Sequence, residues 1–204
     1  MLKVHTNGFF VAVDGPNGAG KSTLIKAVKE NLEFKGYGVY TTKEPTNTEC
    51  GLFVRKYAEN NVGISLACLV AADRYTHIEN EIMPKLNEGQ IVITDRYILS
   101  SLILQRMDNV DDAFLFNLNS KIIKPDLQVA VFADENILQK RLSEREVLTR
   151  FEKGKQSYNE LLFMENGISE LIKRDVHVVC INNNTDLDNN VETIVCTIIN
   201  NWRK

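Results

Sequence analysis

Short apolar runs alternate with longer amphipathic segments along the whole chain. Each run is about five residues long and rich in Val, Ile or Phe, and it lacks the polar alternation of a half-exposed strand. Continuous hydrophobicity of this kind is typical of strands that are buried on both faces, as in a parallel sheet. The predicted strands are Phe9–Val13, Val39–Thr41, Ile91–Thr94, Leu127–Phe132 and Val176–Ile181.

The segments between these runs carry helical periodicity. In the first of them, Leu24, Val28 and Leu32 recur at a spacing of four residues, which places them on one face of a helix. The predicted helices are Ser22–Lys35, Ile64–Leu86, Ser157–Lys173 and Leu187–Trp202. Alternation of strand and helix predicts an α/β three-layer sandwich, with a parallel sheet of about five strands joined by right-handed crossovers.

One segment breaks the alternation. Ser143–Gln156 is highly charged and lies between two helical segments, so it is either a short lid or a solvated helix surface. The rest of the chain has neither internal repeats nor a low-complexity linker. We therefore expect residues 1–204 to form a single domain with this segment as its lid.

Composition excludes several classes of protein. With 44% hydrophobic and 25% charged residues, the chain has the proportions of a globular protein, and its net charge of −3 argues against general binding to nucleic acid or an anionic membrane. The N-terminal segment has the pattern of neither a signal peptide nor a membrane span, so we expect a cytoplasmic location. We also expect reduced thiols at the four widely spaced cysteines, Cys50, Cys68, Cys180 and Cys196.

A phosphate-binding motif follows the first predicted strand. Residues 15–23 read GPNGAGKST and match G-x-x-x-x-G-K-[ST], with a helix predicted immediately afterwards. Glycines let backbone N–H groups surround a polyphosphate, while the Lys21 ammonium reaches the β- and γ-phosphates and the Ser22 hydroxyl can bind Mg²⁺. The predicted nucleotide-binding residues are Gly15, Asn17, Gly18, Ala19, Gly20, Lys21, Ser22 and Thr23.

The third predicted strand ends in an acid followed by an arginine. Asp95 is in the position of a carboxylate that supports Mg²⁺ together with Ser22, and Arg96 faces the ligand crevice at the carboxyl edge of the sheet. Further arginines could converge on this edge, and they suit phosphoryl transfer between two phosphorylated substrates better than hydrolysis. They are Arg55, Arg74, Arg141, Arg145 and Arg150. The absence of an N-K-x-D segment disfavours a GTPase.

Five ordered motifs within residues 9–152 resemble the thymidylate kinase family. They are TKEP at 42–45 followed by Thr48, Gly51 and Arg55; LVAADR at 69–74; DRYILS at 95–100 followed by Gln105; PDL at 125–127; and REVLTRFE at 145–152. The resemblance implies ATP-dependent transfer to a nucleoside monophosphate, dTMP in the first place, with Mg²⁺ and a homodimeric assembly.

The resemblance also implies roles for individual residues. Lys21, Asp95 and Arg96 would act on the phosphates, and Arg145 or Arg150 would supply the catalytic arginine of the lid. Within the acceptor site, Arg55 would hold the monophosphate, while Arg74, Ser100 and Gln105 would contact the base. The full acceptor set is Asn17, Glu44, Arg55, Val70, Arg74, Arg96, Tyr97, Ser100, Leu104 and Gln105.

Departures from the family pattern cluster in the acceptor site. Val70 stands where the family has a phenylalanine that stacks on thymine, Leu104 replaces a tyrosine beside the deoxyribose, and Asn17 replaces an acid directed at the sugar 3′-hydroxyl. Lys43 replaces an arginine and loses its bidentate fork. Two alternatives therefore stay open: a phosphotransferase with a changed acceptor, which is another nucleotide or a phosphorylated small molecule, and a nucleotide-binding regulatory protein with weak activity.

Overall fold

The five predicted apolar runs form one parallel sheet. The computed structural model describes residues 1–4, 6–144, 149–150 and 157–202. Its strands are β1 (Phe9–Asp14), β2 (Val39–Lys43), β3 (Ile91–Asp95), β4 (Leu127–Phe132) and β5 (Val178–Asn182). They pair in the order β2-β3-β1-β4-β5, and every pairing is parallel, so the predicted sheet is confirmed.

Helices connect the strands and cover both faces of the sheet. They are α1 (Lys21–Phe34), α2 (Glu49–Ala58), α3 (Ile64–His77), α4 (Met83–Asn87), α5 (Ile98–Met107), α6 (Asp112–Leu118), α7 (Glu135–Ser143), α8 (Ser157–Ile172) and α9 (Leu187–Trp202). Periodicity did not predict α2, α5, α6 or α7. In α5 most side chains are buried, so the helix has no polar stripe to mark its period.

The long helix predicted over Ile64–Leu86 is divided into α3 and α4. A π-helical turn, Ile78–Ile82, joins them. Pro84 follows this turn as the second residue of α4 and lacks the backbone N–H that would continue the helical hydrogen bonds. The helical prediction is therefore correct in extent, and its interruption lies just before the proline.

Each face of the sheet carries its own hydrophobic core. Side chains alternate along β1, so that Val11 and Val13 pack toward α1 and α9, whereas Phe10 and Ala12 pack toward α3, α5 and α8. All six residues of β1 are buried. The central strand thus contributes to both cores, and the three-layer sandwich is confirmed.

The register of the sheet places three loops side by side. Val13 of β1 pairs with Asp95 of β3, and Lys43 of β2 pairs with the same residue from the other side. Because the strands are parallel, the segments that follow them leave from the same edge. The glycine-rich loop, Arg96 and Glu44 consequently meet there.

Two further expectations concern the thiols and the membrane. Cys50, Cys68, Cys180 and Cys196 are all free, as predicted. Within the described part of the chain, every helix is too short or too polar to cross a bilayer.

The first turn of α2 packs tightly on the loop that precedes it. A Cβ atom on Gly51 would lie 2.2 Å from the carbonyl oxygen of Thr46 and 2.5 Å from its nitrogen. Thr46 has little freedom to move, since its amide and hydroxyl both donate to the buried Asp73 carboxylate, at 2.8 and 2.6 Å. The loop and α2 therefore hold each other in place.

We expect Gly51→Ala to lower the free energy of unfolding by about 1–3 kcal/mol through overpacking. The sign is informative, because alanine ordinarily stabilises a helix interior by about 1 kcal/mol relative to glycine. Urea denaturation measures the difference. The matched control is Gly38→Ala, whose added Cβ would meet its nearest atom, Cγ of Gln90, at 3.8 Å. An unchanged or raised midpoint for Gly51→Ala would show that the loop yields.

Candidate active site

One cavity of about 490 Å³ opens at the carboxyl edge of the sheet. It brings together most of the residues predicted from the sequence. From the nucleotide set, the lining residues are Asn17, Gly18, Gly20, Lys21, Ser22 and Thr23. From the acceptor set, they are Glu44, Arg55, Val70, Arg74, Arg96, Ser100, Leu104 and Gln105.

The glycine-rich loop is shaped by its backbone and braced from outside. Gly20 has φ +84°, a conformation that disfavours other residues, and a Cβ there would lie 2.5 Å from Nδ2 of Asn183. That amide donates a hydrogen bond to the carbonyl of Ala19 at 2.8 Å. Asn183 follows β5 and was not predicted, because a lone asparagine in an asparagine-rich turn carries no recognisable signal.

Lys21 lies inside the loop as a buried ammonium. Its Nζ donates to the carbonyl oxygens of Gly15 and Pro16, each at 2.9 Å. Desolvation, and then the nearby charge of Arg96, lower the pKa of Lys21 to about 7, against the opposing effect of Asp95 and other carboxylates. An anion entering the loop would favour the charged form, so phosphate binding and protonation of Lys21 reinforce each other.

Ser22 and Asp95 present oxygen atoms suited to Mg²⁺. The Ser22 hydroxyl donates to Oδ2 of Asp95 at 2.9 Å. Oδ1 of Asp95 is buried and has no hydrogen-bond partner among the described residues. In the described part of the chain there is also no cluster of three or more metal-ligating side chains. This donor set fits Mg²⁺, which takes one or two protein oxygens and completes its shell with phosphates and water.

Arg96 is turned back over the loop by an unusual backbone. Its φ of 77° lies in the left-handed region, a strain of about 1–3 kcal/mol for a non-glycine residue. Its amide donates to the carbonyl of Val13 at 2.9 Å. The guanidinium donates to Oδ1 of Asn17 at 2.6 Å and to the Ser100 hydroxyl at 3.2 Å. The strained turn thereby directs a cation to the junction of the two halves of the cavity.

A carboxylate that the sequence did not reveal lies behind the loop. Glu160, in the first turn of α8, accepts a hydrogen bond from the backbone N–H of Asn17 at 3.0 Å, across 143 residues of sequence. Burial raises its pKa, while that hydrogen bond and the charges of Arg96 and Lys21 act in the opposite direction. Asn17 is neutral, and Glu160 is the acidic residue that contacts it.

Arg74 forms a buried part of the cavity wall. Its Nε donates to Oε2 of Glu44 at 2.8 Å, and its Nη1 donates to Asn119 at 2.7 Å. Its Nη2 donates to the Tyr97 carbonyl and to the Ser101 hydroxyl, both at 3.0 Å. The guanidinium is therefore held rigidly from three sides.

Tyr97 lies behind Arg74 and does not line the cavity, in contrast to the acceptor role that the family resemblance implies. Its ring is fully buried, and its hydroxyl donates to the carbonyl of Ile123 at 3.0 Å. Arg74 contacts this ring, with 5.3 Å between the guanidinium carbon and the ring centroid. The hydrophobic core takes the tyrosine because its hydroxyl finds a partner there.

The remaining acceptor residues form an apolar pocket with polar rims. Val70 and Leu104 are half-buried, and Gln105 is buried with its Oε1 unpartnered among the described residues. Arg55 borders the same cavity and donates to the carbonyl of Pro45 and to Oδ1 of Asn47. The pocket thus offers aliphatic surface, one amide oxygen and one guanidinium.

Of the two predicted lid arginines, Arg150 lies within the described residues. Arg145, like most of the predicted lid Ser143–Gln156, lies outside the described residues. Arg150 donates to both carboxylate oxygens of Asp108 at 2.8 Å and to the carbonyl of Ala58 at 2.7 Å. In this arrangement Arg150 is engaged at the end of α5, beside the cavity that Thr149 borders.

Comparison with known proteins agrees with this geometry. The sequence model described as thymidylate kinase matches residues 13–194. A probable thymidylate kinase of Caldivirga maquilingensis is 43% identical over 149 residues, which cover 71% of this chain and 73% of that protein. The thymidylate kinase of Caldicellulosiruptor saccharolyticus is 41% identical over 143 residues, which cover 66% and 69%.

A third relative, a probable thymidylate kinase of Pyrococcus horikoshii, is 38% identical over 154 residues, which cover 72% of this chain and 75% of that protein. The family model covers the glycine-rich loop, Arg96 and the strands from β2 to β5 together. Since the family match extends over most of the sequence and the cavity contains the residues of the family's ordered motifs, this chain belongs to the thymidylate kinase family of nucleoside monophosphate kinases.

Proposed function

We propose that this protein transfers the γ-phosphoryl group of ATP to dTMP, giving ADP and dTDP. The observation that carries the proposal is a single cavity that joins a glycine-rich phosphate loop to an arginine-lined acceptor wall. Hydrolysis would need only the first half of that cavity. The relatives' shared name, thymidylate kinase, supports dTMP as the acceptor.

The loop would hold the ATP phosphates through its backbone N–H groups and through Lys21. Mg²⁺ bound through Ser22 and Asp95 would neutralise charge on the β- and γ-oxygens. Burial strengthens the interaction of Lys21 with the phosphates, because few water molecules screen it. Positioning and charge are what phosphoryl transfer chiefly requires.

Arg96 and Arg55 would hold the acceptor phosphate. A phosphate monoester is already a nucleophile, so the chemistry needs no general base from the protein. Arg96 lies between the loop and the acceptor wall, where it can neutralise both the acceptor phosphate and the group in transit. One lid arginine, Arg145 or Arg150, would add a further charge at that point.

Aliphatic side chains would take the place of an aromatic platform at the base. Val70 and Leu104 can pack on the thymine ring and its methyl group, and the unpartnered Oε1 of Gln105 can accept the hydrogen of N3. Arg74 has four of its five N–H groups engaged by described residues, which leaves one donor for a base carbonyl. The pocket thereby provides contacts that complement a thymine.

Asn17 would reach the sugar without a charge of its own. Its Oδ1 accepts from Arg96 and its amide group also hydrogen-bonds the side chain of Glu160, so one amide hydrogen would remain for the 3′-oxygen. Glu160 holds the backbone of Asn17 and is the acidic residue that contacts this loop position. The substitution at position 17 is thus compatible with a nucleotide acceptor.

A retuned acceptor pocket is the second candidate, and Val70 and Leu104 favour it. Both candidates require the same loop chemistry and differ in the monophosphate that gives turnover. A panel of acceptors separates them: dTMP, dUMP, UMP, dCMP, CMP, AMP and GMP, with ADP formation as the readout.

We expect dTMP to give the highest kcat/KM of these acceptors.

We expect Lys21→Ala to lower turnover with every acceptor by about 100-fold or more, because the substitution removes a cation from the transferring phosphates. Lys26→Ala is the matched control, since this lysine lies on the exposed face of the same helix, near Glu30. A Lys21→Ala enzyme with normal turnover would contradict the phosphate-loop assignment. Turnover with another monophosphate alone would replace dTMP by that acceptor.

We expect Val70→Phe to raise kcat/KM for dTMP about 2- to 10-fold. An aromatic contact adds about 0.5–1.5 kcal/mol, and 1.4 kcal/mol corresponds to tenfold. Steady-state kinetics measure the effect, and Val70→Leu controls for added volume without a flat ring. If Phe and Leu at this position give the same rate, or if both are slower than the parent, the base does not lie against Val70.

We also propose that the protein is a homodimer through the outer face of α2 and α3. Leu52, Phe53 and Ile64 form an apolar surface there, and each is more than half exposed in the single chain. A second copy of this chain fits such a surface, because a two-fold axis pairs the same patch with itself. The dimer that the family resemblance implies supports this occupant.

Light scattering tests the assembly. We expect the parent to have the mass of two chains and the double variant Leu52→Glu with Ile64→Glu to shift toward one chain, because charges at the centre of an interface are costly to desolvate. Phe34→Glu is the control, since Phe34 is 92% exposed at the far end of α1. A parent of monomeric mass, or a dimer that survives both glutamates, would remove this surface from consideration.

A further inference from the structure

A buried hydrogen-bonded cluster lies directly behind the acceptor wall. Its members, Tyr40, Thr42, Glu44, His77 and Glu81, are referred to below as the His77 cluster. Nε2 of His77 lies 2.8 Å from the Thr42 hydroxyl, and Nδ1 lies 3.3 Å from Oε1 of Glu44. The hydroxyls of Thr42 and Tyr40 donate to Oε1 of Glu81 at 2.7 and 2.6 Å.

The cluster connects three elements to the cavity. β2 contributes Tyr40 and Thr42, the end of α3 contributes His77, and the π-helical turn contributes Glu81. Glu44 is the link to the site, because its other oxygen, Oε2, accepts from Nε of Arg74 at 2.8 Å. His77 and Glu44 are both buried, so their contacts are shielded from water.

The hydrogen bonds of the His77 cluster require one proton more than its members carry when the imidazole is neutral. Its four hydrogen bonds require one proton each, whereas the two hydroxyls and a neutral imidazole together carry three. If Thr42 donates to Glu81, then Nε2 must donate to Thr42, and a bare Nδ1 would face a carboxylate oxygen. If Thr42 instead donates to Nε2, two oxygen atoms would meet at 2.7 Å without a proton between them.

The fourth proton belongs on the imidazole. Both carboxyl groups already act as hydrogen-bond acceptors, Glu44 from the Arg74 guanidinium and Glu81 from the hydroxyls of Tyr40 and Thr42, so the ring nitrogens are the positions left for it. The hydrogen bond to Glu81 raises the pKa of Tyr40 to about 12, which keeps the phenol as the donor and Glu81 as the ionised acceptor. Two carboxylates therefore face the ring, with Nε2 also 3.5 Å from Oε2 of Glu81.

We propose that His77 is a doubly protonated positioning residue that holds Glu44, and through it Arg74, in the geometry that binds the acceptor. The proposal rests on the proposed function, since the acceptor is taken to be dTMP. The imidazolium donates from both nitrogens and is neutralised by Glu44 and Glu81, with the Arg74 guanidinium on the far side of Glu44. The Nδ1 hydrogen bond holds Oε1 of Glu44, while Arg74 holds Oε2, so the carboxylate is fixed from both sides.

This arrangement affects one substrate only. Glu44 and Arg74 belong to the acceptor wall, whereas Lys21 and Ser22 lie on the loop that follows β1. We therefore expect His77→Gln, which cannot carry a charge, to raise KM for dTMP about tenfold, with KM for ATP and kcat unchanged.

The protonation state is measured directly in the parent protein, with no variant that could fail to fold. Nitrogen-15 NMR of the labelled imidazoles near pH 7 should show both His77 ring nitrogens protonated. The signals of the other two histidines are identified by their loss in His5→Gln and His177→Gln, and His177→Gln also serves as the kinetic control, because His177 is exposed just before β5.

A neutral His77 ring in the NMR spectrum would overturn the proposal, and so would an equal rise in KM for ATP and dTMP in His77→Gln. Failure of the proposed function looks different. If dTMP is not an acceptor at all, the spectrum still reports the protonation of His77, and the kinetic arm is repeated with the acceptor that the panel identifies. A doubly protonated ring combined with an unchanged acceptor KM in His77→Gln would also refute the positioning role.

Discussion

The in-register parallel pairing of β1 with β3 is the constraint on which the site depends. Val13 pairs with Asp95, so the loop after β1 and the turn after β3 begin at the same height on the sheet. The hydrogen bond between Ser22 and Asp95 and the strained turn at Arg96 both follow from this register. A slip of one residue would exchange the two faces of either strand and separate these groups.

Charge is the second organising feature of the molecule. Lys21, Arg74 and Glu44 are almost completely buried, a state that is costly for isolated ions. Each is paired or surrounded: Arg74 by Glu44 and neutral acceptors, and Lys21 by backbone carbonyls beside several carboxylates. The site therefore holds its cations ready for anionic substrates, and its free energy of folding depends on keeping every pair intact.

The sequence predicted the framework well because its signals are local. Five buried strands produce continuous apolar runs, and the phosphate loop is a contiguous motif, so neither requires knowledge of distant residues. The prediction was weaker where burial removes the polar stripe, as in α5, and where short helices depend on caps such as Thr48 of α2. Tyr97 shows a further limit, because a family motif marks a position without saying which way its side chain points.

Groups that meet from distant parts of the chain were outside the reach of the sequence. Glu160 reaches Asn17 across 143 residues, and Asn183 braces Ala19 across 164. His77, which the sequence marks only as an isolated histidine, contacts Glu44 on the wall of the cavity. The chain by itself therefore determined the strands, the phosphate loop and the family motifs, all of which are encoded by neighbouring residues. Tertiary structure alone decided which charges share a buried space, because hydrogen bonding and desolvation act between atoms that only folding brings within reach.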